Sequence, residues 1–124
     1  MSDAPSAVLS GLRVLVVEDE FLIALDLLSI LDDLGCIALG PAATVPEALR
    51  LLVTDPPDAT LLDLNRGGAS AAPVAEALTA GGRPFVIVTA YAGRPGPMLD
   101  GVPVVAKPFW AEEIRDALLG LARP

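Results

Sequence analysis

The spacing of apolar residues along the chain predicts alternating strands and helices. Five short runs are almost continuously apolar: 13–17 (RVLVV), 36–40 (CIALG), 59–64 (ATLLDL), 84–90 (PFVIVTA) and 103–106 (PVVA). Between them, polar residues recur every three or four positions, which is typical of helices with one wet face. These helical segments are 21–35, 44–52, 72–80 and 110–122. Strands that are apolar on both faces favour a parallel sheet covered by helices on each side, so the pattern predicts a five-stranded α/β fold.

Local signals refine this pattern at a few places. Thr44 and Glu47 have the spacing of a capping box, and Pro46 falls in the first turn, where its missing N–H costs little. Residues 65–70 (NRGGAS) predict a glycine-rich loop. Residues 91–101 contain three glycines and two prolines, so we expect little or no regular helix there.

Length and composition fit one domain. A chain of 124 residues, of which 53% are hydrophobic, can bury a sizeable core. We expect residues 1–10 to form a flexible tail and residues 11–124 to form a single domain with no output domain after it. No apolar run reaches the roughly 18 residues of a membrane span, and the N-terminus lacks the features of a secretory signal. These observations favour a cytoplasmic location.

Charge and residue usage exclude several kinds of chemistry. The chain has no histidine, which excludes histidine-dependent nucleophilic catalysis and histidine-ligated zinc. Its formal net charge of −8 and the absence of a basic cluster argue against nucleic acids and anionic membranes as partners. The single cysteine, Cys36, lies in an apolar run, so we expect a buried thiol in a reducing compartment.

Polar residues follow the predicted strands at their carboxyl ends. Glu18 and Asp19 follow the first strand, and Asp63, Thr89 and Lys107 stand at the ends of the third, fourth and fifth strands. Lys107 is the only lysine in the chain. Because the carboxyl ends of parallel strands share one edge of the sheet, we expect these five side chains to face one crevice.

Three carboxylates in one crevice would repel one another unless positive charge relieves them. Hard oxygen ligands of this kind suit Mg²⁺, which binds through a few carboxylates and keeps waters that phosphate oxygens can replace. A lysine supplies a compact charge, whereas an arginine fork would demand two acceptor atoms. The pattern therefore predicts a magnesium site with one ammonium group beside it.

With these residues in place, the sequence resembles the receiver domain of two-component response regulators. The motifs that carry the resemblance are LVVEDE, LLDLN, VIVTA and VAKPF, which occur in the family's order and spacing between about Gly11 and Leu121. The resemblance implies a flavodoxin-like (βα)5 fold, a doubly wound parallel sheet with strand order 2-1-3-4-5. Here the fourth helix is expected to be short or irregular.

The resemblance also implies a role for each acidic residue. Asp63 is expected to accept the phosphoryl group and become an acyl phosphate. Asp19, Asp63 and the backbone carbonyl of Asn65 are expected to hold Mg²⁺, with Glu18 acting on the metal through water; Mn²⁺ is an alternative metal. Asn65 is further expected to influence the attack of water on the acyl phosphate.

The remaining implied roles concern the phosphoryl oxygens. The Thr89 hydroxyl and the Lys107 ammonium are expected to bind them, and the family has a cis peptide bond before the residue that is Pro108 here. Ala90 leaves room for the phosphoryl group and for water. Tyr91 is expected to influence how easily the acyl phosphate is hydrolysed.

Two features depart from the usual receiver pattern. Val104 stands where the family usually has a tyrosine or phenylalanine that switches inward, and residues 91–101 replace the fourth helix. These departures resemble a variant branch known by the FAT GUY motif around the threonine, although VTAY matches that motif imperfectly. We hypothesise that residues 91–101 reorganise on phosphorylation in place of an aromatic switch.

The resemblance implies a stand-alone receiver that is not an enzyme but catalyses its own phosphotransfer and autodephosphorylation. Its partners would be a sensor histidine kinase or phosphotransfer protein, an unidentified downstream protein, and a second copy in a homodimer. The alternatives are a degenerate receiver that binds partners without phosphorylation and a haloacid-dehalogenase-type phosphatase. The phosphatase would want an aspartate where Asn65 stands. A flavodoxin-like FMN carrier fits less well, because the acidic residues after strand one would repel phosphate.

Overall fold

A computed structural model describes residues 8–66, 69–90 and 101–122. Its strands are β1 (Arg13–Val17), β2 (Ile37–Ala42), β3 (Ala59–Asp63), β4 (Asn65–Arg66), β5 (Ala69–Ser70), β6 (Phe85–Thr89) and β7 (Val104–Ala106). Its helices are α1 (Phe21–Asp33), α2 (Val45–Thr54), α3 (Ala72–Ala80) and α4 (Ala111–Ala122). Every helix in these residues is too short or too polar to cross a lipid bilayer.

Five parallel strands form the main sheet in the order β2-β1-β3-β6-β7. Numbered along the chain as sheet strands, this is the order 2-1-3-4-5, and the flavodoxin-like doubly wound fold is confirmed. The direction of winding reverses between β1 and β3. Ligands of such sheets bind outside the carboxyl ends of the strands at this reversal, so the fold itself marks one edge as the place for a site.

The core has two layers because β3 and β6 are buried at every position. One layer packs side chains such as Val16 and Leu61 against α1 and α4, which contribute Leu31 and Leu118. The other packs the alternate residues of the same strands against α2 and α3. Burial on both faces is what continuous apolar runs predict, and it is the reason the sheet is parallel and covered on both sides.

Strand β2 runs further than the predicted 36–40, because it continues through a Gly-Pro pair that reads locally as a turn. Gly40 has a φ of +91°, and the pairing of β2 with β1 shifts register beside it. A Cβ on Gly40 would lie 2.8 Å from the backbone nitrogen of Ala42 and 3.0 Å from the carbonyl oxygen of Val16. Only glycine fits this bulge, and the extension it permits keeps Ala42 in the core.

The predicted glycine-rich loop at 65–70 is wrong in part. Asn65 pairs with Ser70 and Arg66 with Ala69, so that β4 and β5 form a short antiparallel hairpin directly after Asp63. Two residue pairs around a pair of glycines are too few to produce an alternating apolar pattern, and the sequence shows only turn residues there.

The predicted flexible tail ends too late. Leu9 is fully buried and packs in the core beside α1 and α4. The backbone N–H of Gly11 donates a 2.8 Å hydrogen bond to the carbonyl of Gly35, which ties this segment to the end of α1. The boundary at residue 10 is therefore wrong for its last residues, while residues 1–7 lie outside the described part of the chain.

Two smaller predictions are confirmed. The Thr44 hydroxyl accepts a 3.2 Å hydrogen bond from the Glu47 N–H, and α2 begins at the next residue. Cys36 is buried, and burial raises the pKa of its thiol. Of the segment 91–101, only Gly101 is described, so the predicted loss of helix there lies outside the described residues.

Thr60 in β3 is fully buried, and its hydroxyl has no hydrogen-bond partner among the described residues. Replacing it with valine keeps the branched shape and removes a buried polar atom that lacks compensation. We expect Thr60→Val to raise the free energy of unfolding by about 1 kcal/mol in a denaturant titration. Thr60→Ala serves as the control and is expected to lower it, because alanine leaves a void. A destabilised valine variant would contradict this account.

Candidate functional site

Three acidic side chains meet at the carboxyl edge of the sheet. The loop after β1 carries Glu18 and Asp19, and Asp63 is the last residue of β3, the neighbouring strand. One carboxylate oxygen from each of these residues lies within 4.8 Å of the others. Glu18 and Asp63 are buried, whereas Asp19 is exposed. The cluster thus has two acids below the surface and one at it.

Lys107 directly follows β7, the outermost strand of the sheet, and its side chain reaches into this cluster. Its Nζ lies 2.9 Å from Oε1 of Glu18 and 3.4 Å from Oδ2 of Asp63, and its side chain is only 9% exposed. The backbone N–H of Lys107 donates a 2.8 Å hydrogen bond to the carbonyl of Thr89, which fixes the start of the loop. The Lys107–Pro108 peptide bond is cis, as the resemblance implies.

The electrostatic setting of Lys107 keeps it charged. Burial alone lowers the pKa of the ammonium, but the hydrogen bond to Glu18 and the charges of Glu18, Asp63 and Glu20 outweigh burial, so the pKa is raised above its ordinary value. The ammonium is therefore the fixed positive charge of the site across the physiological pH range.

Glu18 and Asp19 are adjacent in sequence but differ in their surroundings. Oε2 of Glu18 accepts a 3.0 Å hydrogen bond from the backbone N–H of Glu20, and Oε1 faces Lys107. Both oxygens of Glu18 are thus engaged in holding the loop and the lysine. Asp19 is exposed beside them, which leaves its carboxylate as the one best placed to meet a cation from solvent.

Glu20 is a site residue that the sequence did not single out. Its Oε1 lies 3.7 Å from Nζ of Lys107, so three carboxylates surround one ammonium. An acid at the start of a helix is expected from the helix dipole alone, so the position of Glu20 in the sequence did not by itself indicate a role in the site. Its direct adjacency to the acidic pair was the one available indication.

Of the other predicted site residues, Thr89 and Ala90 lie at the same carboxyl edge of the sheet. Thr89 is buried at the end of β6 and pairs with Ala106 of β7, one residue before Lys107. Ala90 is exposed directly after it. Val104 is 43% exposed and begins β7, the outermost strand of the sheet, at the opposite end of that strand from Lys107. Asn65 begins β4, two residues after Asp63, and Tyr91 lies outside the described residues.

The cluster suits a hard divalent cation. Glu18, Asp19 and Asp63 offer only carboxylate oxygens, and their mutual distance allows them to surround one ion. Magnesium and manganese prefer such ligands, while the lack of a thiolate or imidazole donor in the cluster disfavours softer metals. The residues present therefore fit a Mg²⁺-type site with an ammonium group on its inner side.

Solved structures similar to this chain are receiver domains of response regulators. SdrG from Sphingomonas melonis Fr1 is 37% identical, with a TM-score of 0.80, and the match covers 99% of this chain and 100% of SdrG. The receiver domain of PhyR from Erythrobacter litoralis is 29% identical, with a TM-score of 0.75 and 93% and 95% of the two chains covered.

The response regulator PhyR from Brucella abortus is 30% identical with a TM-score of 0.78. The match covers 97% of this chain, which spans about half of that PhyR, 51% of its length. No family model and no curated protein matches the sequence.

Fold, site and similarity agree on the class of protein. The chain belongs to the response regulator receiver-domain family. Within that family, SdrG and the receiver domains of PhyR proteins are among its relatives. Receiver domains of this kind are phospho-acceptors rather than enzymes.

Proposed function

We propose that this chain is a response regulator that accepts a phosphoryl group on Asp63 from a phosphohistidine, with Mg²⁺ bound, and signals through protein–protein contacts. The observation that carries the proposal is the placement of the Lys107 ammonium between the buried carboxylates of Glu18 and Asp63 at the carboxyl edge of the sheet. Nothing in a structural role alone requires two buried acids to share the only lysine of the chain.

In the proposed reaction, a carboxylate oxygen of Asp63 attacks the phosphorus in line. The new P–O bond forms as the P–N bond of the phosphohistidine breaks, and the departing histidine nitrogen keeps the electron pair and takes up a proton. Lys107 and the Thr89 hydroxyl bind the phosphoryl oxygens, where negative charge must be held during transfer. Ala90 leaves space for the group beside Thr89.

Asp19, Asp63 and the backbone carbonyl of Asn65 would hold Mg²⁺, with Glu18 reaching it through water. The ion would neutralise charge on the phosphoryl oxygens and on the acidic cluster. Mn²⁺ offers the same ligand preferences and could replace it. The position of Glu18 supports an indirect role, since both of its oxygens already have partners in Lys107 and the Glu20 backbone.

The phosphorylated form is proposed to be finite-lived, with Asn65 and Tyr91 setting the rate at which water attacks. The donor would be a sensor histidine kinase or a phosphotransfer protein in the cytoplasm, and the reader a downstream protein. One relative is named as an anti-anti-sigma factor, PhyR from Bartonella quintana, which supports a protein as the downstream partner. The chain, with Leu9 as part of its core, is proposed to act as a single domain, as a monomer or a homodimer.

The test is labelling with a small phosphodonor. The protein is incubated with phosphoramidate and Mg²⁺, and its intact mass is followed with time. We expect the gain of one phosphoryl group, loss of that gain with a chelator, and none in Asp63→Asn. Asp58→Asn is a matched control, since Asp58 is an exposed acid one residue before β3. An unlabelled wild type would refute the proposal.

The same experiment, together with a parallel incubation with a phosphate ester, separates the alternatives. A degenerate receiver would remain unlabelled, although its usual mark is the loss of an acidic residue or the lysine, and this chain retains both. A phosphatase of the haloacid dehalogenase type would turn over phosphate esters continuously. It would want a second aspartate as acid–base catalyst, and Asn65 occupies that position.

A further inference from the structure

Glu20 stands at the mouth of the site, unlike the two acids that share Lys107 with it. Its side chain is 66% exposed, whereas those of Glu18 and Asp63 are 0% and 2% exposed. Its Oε1 nevertheless lies 3.7 Å from Nζ of Lys107. The carboxylate therefore lies between solvent and the positive charge that the proposed reaction uses.

Helix capping does not account for this position. Glu20 is the N-cap residue of α1, but its side chain makes no capping hydrogen bond in the described structure. Only the backbone of Glu20 takes part in local hydrogen bonds that the structure records. Its N–H donates to the Glu18 carboxylate, and its carbonyl accepts a 2.9 Å hydrogen bond from the Ala24 N–H. Glutamate is not among the residues preferred at an N-cap, where aspartate or serine reaches the backbone better. The side chain is directed to the site rather than to its own helix.

We propose that Glu20 is a specificity-determining residue that discriminates phosphodonors by their charge. The inference rests on the proposed function, because it concerns access to Asp63. A phosphoryl group that approaches Asp63 must pass a carboxylate that repels it and that shares the Lys107 ammonium. The repulsion grows with the negative charge of the donor, so a dianion is slowed more than a monoanion.

The donor class favoured by this arrangement follows from the same charge. In a protein donor, basic residues around the phosphohistidine are attracted by Glu20, and this attraction offsets the repulsion of the phosphoryl group. A small free acyl phosphate has no such basic residues, so it experiences only the repulsion. Glu20 thus favours a basic protein surface over small phosphorylated metabolites. The net charge of −8 acts in the same direction but without regard to position.

The experiment compares two small donors on the full chain at saturating Mg²⁺ and low salt. Acetyl phosphate is a dianion near neutral pH and releases acetate when its P–O bond breaks. Phosphoramidate is mainly a monoanion and releases ammonia when its P–N bond breaks and the nitrogen takes up a proton. For Glu20→Gln we expect labelling to be faster by about threefold with acetyl phosphate and by less than twofold with phosphoramidate.

Two variants control for other effects. Glu20→Asp keeps the charge and is expected to keep the wild-type ratio of the two rates. Asp26→Asn removes an exposed charge from the same helix, outside the site, and is also expected to leave the ratio unchanged. High salt should reduce the advantage of Glu20→Gln with acetyl phosphate, because it screens an exposed carboxylate.

The outcomes separate this proposal from the proposed function. If Glu20→Gln accelerates labelling equally with both donors, or with neither, discrimination by charge at Glu20 is overturned. Labelling of Asp63 would still support a phospho-acceptor. The same shift in Asp26→Asn would assign the effect to net charge and overturn this discrimination too. If neither donor labels the wild type, the proposed function is overturned, and with it any role of Glu20.

Discussion

Replacing Lys107 with methionine is expected to lower the free energy of unfolding by about 3 kcal/mol without Mg²⁺ and to slow labelling of Asp63 by a hundredfold or more. The ammonium lies 2.9 Å from Glu18 and 3.4 Å from Asp63, and both carboxylates are buried. Methionine fills the same volume but leaves two buried acids without their cation. Urea unfolding and mass-resolved labelling measure the two effects.

Magnesium should restore part of the lost stability in Lys107→Met, since it places positive charge among the same carboxylates. The variant is therefore expected to gain more free energy of unfolding from saturating Mg²⁺ than the wild type does. Lys107→Arg is the matched control: it keeps the charge and should keep more stability, but its planar fork does not fit an ammonium-sized place, so labelling stays slow. Unchanged stability in Lys107→Met would contradict the ion-pair account.

The convergence of these side chains could be anticipated from the sequence. Strands β3 and β6 are buried at every position, which is the structural counterpart of their unbroken apolar runs. A parallel sheet follows from such runs, and the carboxyl ends of its strands must then share one edge. Lys107 was informative because it is the only lysine and stands at such an end.

Features that depend on backbone detail could not be predicted from the sequence. The hairpin of β4 and β5 consists of two residue pairs, and turn residues alone do not show whether a loop pairs with itself. Strand β2 passes through Gly40, where a bulge absorbs what reads as a turn. Leu9 lacks periodic neighbours that would mark it as core, yet it is fully buried.

The orientations of the three consecutive acids Glu18, Asp19 and Glu20 also could not be predicted from their spacing. Three consecutive acids after a strand do not reveal which of them points inward, because that depends on the path of the loop. The structure resolves this through the hydrogen bond from the Glu20 N–H to Glu18, which turns Glu18 toward Lys107 and leaves Asp19 exposed. The carboxylates of neighbouring residues consequently have different tasks.

That division of tasks leads to the second large effect. Asp19→Asn is expected to weaken Mg²⁺ binding at least tenfold, because the carboxylate proposed to bind the ion becomes a neutral amide. The free energy of unfolding without Mg²⁺ should change by less than about 0.5 kcal/mol, as is usual for an exposed side chain. Isothermal calorimetry with MgCl₂ measures the binding, and urea unfolding without metal measures the stability.

Glu18→Gln is the matched variant and should behave in the opposite way. The amide has one oxygen, so it cannot accept from the Glu20 N–H and face Lys107 with an oxygen at the same time. It also leaves the buried ammonium with one fewer anion, and we expect a loss of about 2 kcal/mol without Mg²⁺. Its loss of Mg²⁺ affinity should be smaller than that of Asp19→Asn, because Glu18 would act on the metal only through water. If both variants lost affinity equally with no loss of stability in Glu18→Gln, Glu18 would be a direct metal ligand rather than the residue that positions the lysine.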